Sequence, residues 1–143
     1  MIVRLGFLSA ALLFLTACSG INTELARSWA ASQTEPASIN IAGSWKSKLS
    51  HYAGGWGNAE ITQTGSEFHG TLGLYTIEGK ISGKKIYAII MSGSSVYYTA
   101  ILELDAQGDM VGMAFRKALP GAPAAKSAEH APFHLVRPKA NSR

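Results

Sequence analysis

The 143-residue sequence has a single cysteine, and only 15% of its residues are charged. One cysteine excludes an internal disulfide framework. The small charged fraction, with a formal net charge of +4, excludes a charge-rich disordered chain and the clustered basic surface of a nucleic-acid-binding protein. The 15 glycines and 5 prolines follow no period, which excludes collagen-like and low-complexity classes. A single small globular domain remains.

The only long apolar run lies at the N-terminus, where Arg4 is followed by the 13 uncharged residues 5–17. A helix that spans a bilayer needs about 20 apolar residues, and polar sequence follows this run without stop-transfer charges. Residues 1–17 are therefore predicted to be an export signal peptide, with a transmembrane anchor as the minor alternative.

The run ends in Leu15-Thr16-Ala17-Cys18, which resembles the lipobox of bacterial lipoproteins. The resemblance implies that Cys18 becomes the first mature residue and carries a diacylglyceryl group, so that acyl chains hold the protein to a membrane of the cell envelope. Ser19 follows, and in enterobacterial-type lipoproteins a residue other than Asp there favours the outer membrane over the inner membrane. The alternative is a buried cysteine in an ordinary secretory signal or core helix.

Residues 18–38 are mostly small and polar and lack a sustained apolar period. We therefore expect a flexible tether that lifts the domain off the membrane. A short helix over 24–31 is the alternative within it, because Leu25 and Trp29 would share one edge at spacing i, i+4. Trp29 would then rest in the lipid interface or on the domain.

From Ala42 onward the apolar period becomes two, and turn residues recur every eight to twelve positions. This pattern indicates an all-β barrel or sandwich. Eight strands are predicted at 43–49, 58–64, 67–72, 75–81, 84–91, 95–104, 109–117 and 133–137. A longer excursion, rich in proline and alanine, separates the last two.

Short connections between consecutive strands force antiparallel neighbours. The prediction is thus an eight-stranded antiparallel up-and-down barrel over 39–138, with a disordered tail at 139–143. Its strands are mostly shorter than the roughly 9–11 residues of a membrane-spanning strand, so the barrel is expected in water. In the sixth strand the inward residues are predicted to be Val96, Tyr98, Ala100, Leu102 and Leu104. Its outward residues, Tyr97 and Ile101 among them, are more apolar than a solvated face requires.

Gly43-Ser44-Trp45 opens the first predicted strand and Arg137 ends the last one. This pairing resembles the calycin barrels, which include lipocalins, fatty-acid-binding proteins and avidins. The resemblance implies that Trp45 plugs the narrow end while Arg137 covers the indole and reaches backbone carbonyls. The further tryptophans of the avidin biotin site and the other lipocalin motifs are missing, so neither biotin nor retinoid binding is implied. The alternative is Trp45 as a plain core residue of an unrelated β-sandwich.

Catalytic and metal-binding constellations are not predicted. The four histidines are scattered without paired-ligand spacing: His51, His69, His130 and His134. There is no Gly-x-Ser-x-Gly motif, and the strand glutamates are predicted to lie one per strand on the outward face: Glu60, Glu67, Glu78 and Glu103. We therefore expect no enzyme activity, metal or cofactor.

Aromatic side chains provide the candidate ligand site, with Tyr52, Trp56, Tyr75 and Tyr98 as its predicted residues. Tyrosine combines an apolar ring with a hydroxyl group and suits a ligand cavity. The residues 51–57, with glycines on both sides of Trp56, would form a mobile loop over the barrel mouth. Ordinary strand composition is the alternative, since tyrosine is enriched in strands.

Two functions follow from these patterns. The first is a lipid-anchored barrel that binds a small apolar or amphipathic ligand inside or at its mouth. The second is a filled, non-catalytic barrel that meets an envelope protein through Tyr97, Ile101 and neighbouring residues. The volume of the interior decides between them. Gly70, Gly79, Ala59 and Ala100 would leave room, whereas Phe68, Tyr75, Tyr98, Phe115 and Leu135 would fill it.

Overall fold

A computed structural model describes residues 21–49 and 55–139. The described chain has one α-helix, α1 (Thr23–Ala31), followed by eight β-strands. The strands are β1 (Gly43–Ser47), β2 (Ala59–Thr64), β3 (Glu67–Leu72), β4 (Tyr75–Ser82), β5 (Lys85–Ser92), β6 (Ser95–Leu104), β7 (Met110–Arg116) and β8 (His130–Val136). The predicted signal peptide at 1–17, Cys18, Tyr52 and residues 140–143 of the predicted tail at 139–143 lie outside the described residues.

Each strand pairs antiparallel with the next, and β8 returns to β1 to close the barrel. The closing pairs are Lys46 with Val136 and Ser47 with Leu135. The prediction of an all-β, eight-stranded antiparallel up-and-down barrel is confirmed. Closure gives each of the eight described strands two neighbours, which removes the long free edges of an open sheet and helps short strands form a stable one.

The last strand differs from its prediction because β8 begins at His130 and includes Pro132. Pro132 has no N–H to donate and pairs with Met113 of β7 only, since the β1 pairing begins further along at Leu135. A strand tolerates proline where no partner needs its N–H. The excursion is correspondingly shorter and contains a short 3₁₀ helix at Pro123–Lys126.

Alternating strand directions place the connections at two ends of the barrel. We call one the plugged end, where β1 begins, β8 ends, and the connections 65–66, 83–84 and 105–109 lie. We call the other the aromatic end, which holds residues 48–49 and 55–58 and the connections 73–74, 93–94 and 117–129.

Large apolar side chains occupy the barrel interior. Those with less than 2% exposure in the internal cluster are Ile41, Trp45, Leu72, Ile77, Ile81, Ile86, Ile90, Leu102, Met110, Phe133 and Leu135. Phe68 joins them at 3% exposure, but Phe115 does not. The expectation that Phe115 fills the interior is wrong, because Phe115 pairs with Thr99 and packs its ring on His130, on the outward side of β7.

A β-bulge in β6 makes a second predicted side-chain orientation wrong. Ile90 pairs with Tyr98 and the next residue, Met91, pairs with Val96, which leaves Tyr97 as an extra residue. One extra residue reverses the alternation on its far side. Val96 therefore faces outward, in a cluster beneath α1, and not inward as predicted.

The helix α1 lies against the outside of β4, β5 and β6. Asn22 caps it by accepting a hydrogen bond from the Glu24 N–H at 2.8 Å. Ala26 and Ala30, one turn apart, are buried against Ile89 and Val96. Small residues at this spacing let the helix approach the sheet closely. Within residues 21–49 and 55–139, no helix has the length and the apolar character of a membrane span.

Residues 21–38 thus differ from the expected flexible tether, and the short helix weighed as its alternative is present. Trp29 rests on the domain, with its ring 5.6 Å from that of Tyr87. Arg27 forms an ion pair with Glu78 of β4 at 2.8 Å. The outward apolar residues of β5 and β6 explain the docking, because they offer the helix a surface to bury.

Candidate functional site

The aromatic end holds a cluster of four rings, which we call the aromatic cluster: Trp56, Tyr75, Tyr98 and Phe133. The Trp56 ring centroid lies 4.8 Å from Tyr98, 5.4 Å from Phe133 and 6.2 Å from Tyr75. The contacts with both tyrosines are edge-to-face, an arrangement that favours aromatic pairs beyond simple burial.

Trp56 is held in this cluster by a hydrogen bond as well as by its ring contacts. Its Nε1 donates to the carbonyl oxygen of Pro132 at 2.9 Å. That carbonyl lies on the stretch of β8 that β1 does not reach, so the indole takes the place of a strand partner. The residues that follow Trp56 are held as well, because the Gly73 N–H donates a hydrogen bond to the carbonyl oxygen of Asn58 at 2.8 Å.

Tyr98 is half-buried in this cluster. Burial, followed by the neighbouring Tyr75, raises the pKa of Tyr98 above its ordinary value. The phenol therefore stays protonated at neutral pH and offers a neutral hydroxyl rather than a phenolate.

Three of the four predicted ligand-site residues thus meet: Trp56, Tyr75 and Tyr98. Tyr52 lies outside the described residues. Sequence reasoning left Phe133 out of the site, although its inward place beside Leu135 in the last predicted strand was a usable signal. Tyr97 was predicted as an outward residue, and it stands at the rim with its ring 6.0 Å from Tyr75.

At the plugged end, the guanidinium carbon of Arg137 lies 4.2 Å from the Trp45 ring centroid. Arg137 also donates to the carbonyl oxygens of Ala42 at 3.0 Å and Asn40 at 2.9 Å. The stacked arginine that the calycin resemblance implied is therefore present. Gly43 completes the arrangement because its φ of +113° suits glycine.

The segment before β1 closes the plugged end and was not recognised in the sequence. Ile41 is fully buried, and its carbonyl oxygen accepts the Trp45 indole N–H at 2.9 Å. The Gln63 side chain binds the same segment, accepting from the Ile41 N–H at 2.8 Å and donating to the Ile39 carbonyl at 3.1 Å. Polar contacts thus hold a non-strand segment across the end of the barrel.

A small acidic and imidazole cluster lies near the same end. His134 Nε2 is 2.8 Å from Asp109 Oδ2, and Asp105 lies close enough for all three ligand atoms to fall within 4.8 Å. Asp105 Oδ1 also accepts the N–H groups of Gln107 and Asp109, each at 2.9 Å. These bonds shape the β6–β7 turn. Sequence spacing did not reveal the cluster, because strand pairing brings His134 to the turn.

Three clefts in the described structure lie outside the barrel wall. One of about 370 Å³ separates α1 from β3 and β4, and includes Arg27 and Glu78. A second, of about 620 Å³, borders Lys46 and Arg137, and the third, of about 530 Å³, lies between Ile21 and Lys117.

No protein-family model, curated protein or solved structure matches this chain.

Proposed function

We propose that this chain is a non-catalytic, lipid-anchored protein of the cell envelope whose filled barrel serves as a scaffold for a protein partner. The observation that carries the proposal is the packed interior. Trp45, Leu72 and Phe133 lie in one contiguous cluster with the buried isoleucines of β4 and β5. A ligand pocket typically measures about 300–1,000 Å³, and space of that size along the barrel axis would require several of these side chains to move.

The aromatic cluster supports the same proposal. Its rings pack on one another, and the indole N–H of Trp56 is already bonded to Pro132. A ligand that entered here would have to replace those contacts. The aromatic cluster therefore lines and closes the barrel mouth in this proposal and does not bind a ligand.

The wall formed by β6, β7 and β8 offers a surface for the partner. Ile101 of β6 pairs with Met113 of β7, and Met113 pairs with Pro132 of β8, so the three outward side chains form one strip. Met113 is 39% exposed. Polarizable, flexible methionine adapts well to partner surfaces.

The anchor is proposed from the sequence. The uncharged run 5–17, the lipobox-like Leu15-Thr16-Ala17-Cys18 and the absence of a second cysteine all favour acylation of Cys18. Ser19 favours delivery to the outer membrane.

Native mass spectrometry of the detergent-released lipoprotein tests the filled barrel. We expect the acylated polypeptide without a co-purifying small molecule. A reproducible extra mass that survives gentle purification and leaves on unfolding would replace the scaffold by a ligand-binding barrel.

Fractionation of cells tests the anchor. Cys18→Ser should move the protein from the membrane pellet to the soluble fraction, because it removes the acylation site. Equal membrane pellets for the wild type and the variant would refute lipidation.

Site-specific photo-crosslinking in intact cells tests the partner surface. A crosslinker at Met113 should yield one discrete adduct, while the matched control at Thr62, exposed on β2, should not. Adducts at both positions or at neither would remove the strip from the proposal.

Ligand binding at the mouth is the second candidate, because three predicted aromatic residues do converge there. Titration with fatty acids or lysolipids, with Trp56→Phe as the control, separates the two functions. A blue shift in the wild type that the variant lacks would favour the ligand. We expect no shift, since Trp56 is already buried.

A further inference from the structure

The chain that leads from the anchor reaches the barrel at its aromatic end. Thr23 Oγ1 donates to the carbonyl oxygen of Ser94 in the β5–β6 hairpin at 3.0 Å. Ile21 packs on the neighbouring outer cluster, which includes Val96. Two residues separate Cys18 from Ile21, so their Cα atoms lie at most about 11 Å apart. An acyl group on Cys18 therefore holds this end of the barrel close to the bilayer.

The opposite end lies much farther away. Strand β4 has eight residues and joins the two ends. At about 3.3 Å per residue, with the tilt of barrel strands, it spans roughly 20 Å along the barrel axis. The plugged end therefore lies beyond the reach of the three-residue step from Cys18 while α1 stays docked.

The two hairpins at the ends of β4 provide a matched comparison. Gly73-Leu74 lies at the aromatic end and Gly83-Lys84 at the plugged end. The glycines have φ values of +58° and +59°, so the two turns share a backbone conformation at that position. The following residue differs. Leu74 is 92% exposed, the most exposed of the large hydrophobic residues described, whereas Lys84 is a charged residue in the equivalent place.

This contrast extends around both rims. Leu49, at 38% exposure, is a second exposed leucine at the aromatic end. The described connections of the plugged end are Gly-Ser, Gly-Lys and Asp-Ala-Gln-Gly-Asp, without a large apolar residue. A single exposed leucine needs no explanation of its own. Here, however, Leu74 and Leu49 lie at the same end of the barrel that the chain from Cys18 reaches, and this coincidence points to an apolar surface at that end.

Residues typical of membrane interfaces stand where the anchoring chain meets the barrel. Lys117 Nζ lies 5.6 Å from the Tyr97 ring centroid, and both residues border the cleft beside Ile21. Tyrosine and lysine combine an apolar body with a polar tip and are favoured at the headgroup level. The nearby Arg116 forms an ion pair with Glu129, with its guanidinium nitrogen 2.9 Å from the carboxylate oxygen, so that its charge is balanced within the protein.

We propose that the aromatic end of the barrel rests on the lipid bilayer that holds Cys18, with Leu74 entering the interface and Tyr97 and Lys117 at the level of the headgroups. The inference rests on the proposed function, since it requires an acylated Cys18. It adds an orientation, in which the plugged end and the β6–β8 wall face the aqueous compartment.

A protein partner at the aromatic end is disfavoured by the short anchor. Even a 100-residue domain has a radius of gyration of about 13 Å, so it does not fit in a gap that the step from Cys18 limits to about 11 Å. The same gap accommodates lipid headgroups.

Depth-dependent fluorescence quenching tests the orientation in the full-length acylated protein. Leu74→Cys and the matched Lys84→Cys variant are each labelled with nitrobenzoxadiazole, because the acylated Cys18 thiol does not react. Both are reconstituted into vesicles of phosphatidylethanolamine and phosphatidylglycerol that contain a lipid with a nitroxide high on its acyl chain. We expect the label at position 74 to lose most of its emission and the label at position 84 to lose little.

Flotation with the vesicles and the mass of the N-terminal peptide are measured on the same samples. If both variants float with the vesicles but the two labels are quenched equally, or the label at 84 more, the orientation is overturned while the anchor stands. If the N-terminal peptide carries no acyl group and neither variant floats, the proposed anchor and the orientation fall together. Unchanged thermal unfolding of both variants shows that the labels report on a folded barrel.

Discussion

The two ends of this barrel are closed by different interactions. At the plugged end, Trp45 lies beneath Arg137, and the hydrogen bonds that Arg137 and Gln63 make with the preceding segment hold that segment across the opening. At the aromatic end, Trp56 closes the opening through ring contacts and a single indole hydrogen bond to Pro132. One end relies on directional polar bonds and the other on packed rings.

The different interactions at the two ends suit different roles, one in stabilising the fold and the other in contacting the surroundings. Charge-assisted bonds to backbone carbonyls fix one geometry, which suits a structural plug. Packed rings are held mainly by burial, and their rim carries an exposed leucine and a tyrosine that fit an apolar neighbour. A barrel with two such ends has one end that stabilises the fold and one that meets its surroundings.

The largest effect is expected on removing Trp45, the side chain that plugs one end of the barrel. Trp45→Ala should lower the free energy of unfolding by about 3–5 kcal/mol, since Trp45 is 1% exposed and its removal leaves a cavity. Trp56→Ala should cost less, because Trp56 is 9% exposed and lies in a connection rather than in a strand. Urea denaturation of both variants measures the order. A larger loss for Trp56→Ala would place the stabilising plug at the aromatic end.

A pair of turn glycines tests how firmly the aromatic end is built. Gly73 and Gly93 both have positive φ, at +58° and +59°. A Cβ at Gly73 would lie 2.3 Å from the Trp56 carbonyl oxygen, whereas a Cβ at Gly93 meets nothing within 4 Å. Gly93→Ala should cost roughly 1–2 kcal/mol for its left-handed conformation, and Gly73→Ala about 1–3 kcal/mol more for the clash.

Equal losses for these two alanine variants would mean that the Trp56 loop moves away freely. The aromatic end would then be a loose flap rather than a packed closure. Chemical denaturation gives the two losses, and unchanged denaturant slopes show that both variants unfold as the wild type does.

A double-mutant cycle isolates the stacked arginine at the plugged end. Trp45→Leu and Arg137→Ala, alone and together, should show a coupling of about 0.5–1 kcal/mol, the strength of a cation–π contact near the surface. Coupling near zero would mean that Arg137 acts only through the carbonyls of Asn40 and Ala42. Stacking of Arg137 on the Trp45 indole would then contribute nothing to the stability of the plugged end.

Much of this fold could be predicted because the barrel follows local rules. The alternation of Tyr75 and Ile77 with Thr76 and Glu78 places β4 correctly, and turn glycines such as Gly73 and Gly83 mark where its hairpins begin. Short connections then determine antiparallel order, and eight strands in that order close.

The errors arose where distant residues compete with those rules. The bulge at Tyr97 turns Val96 outward, and only the presence of α1 gives that residue a place to be buried. The docked helix itself depends on a surface that β5 and β6 create far along the chain. Phe133 and Pro132 join the aromatic end through the β8 pairing, which no local pattern near Trp56 reveals.

The smallest expected effect concerns titration at the aromatic end. Burial raises the pKa of Tyr98, so the folded protein keeps its phenol neutral at a pH where the unfolded chain has lost the proton. Its contribution to stability is complete below the ordinary tyrosine pKa of about 10 and is lost as the pH rises from there through the raised folded value. Trp45, which closes the plugged end, has no titratable group.

Wild type and Tyr98→Phe should therefore differ by a constant free energy of unfolding between about pH 8 and 9, and above about pH 10 the wild type should lose stability relative to the variant. Urea denaturation across this range measures the difference. Parallel curves up to the alkaline limit would show that Tyr98 is solvated, and would mean that the rings of the aromatic end do not exclude water.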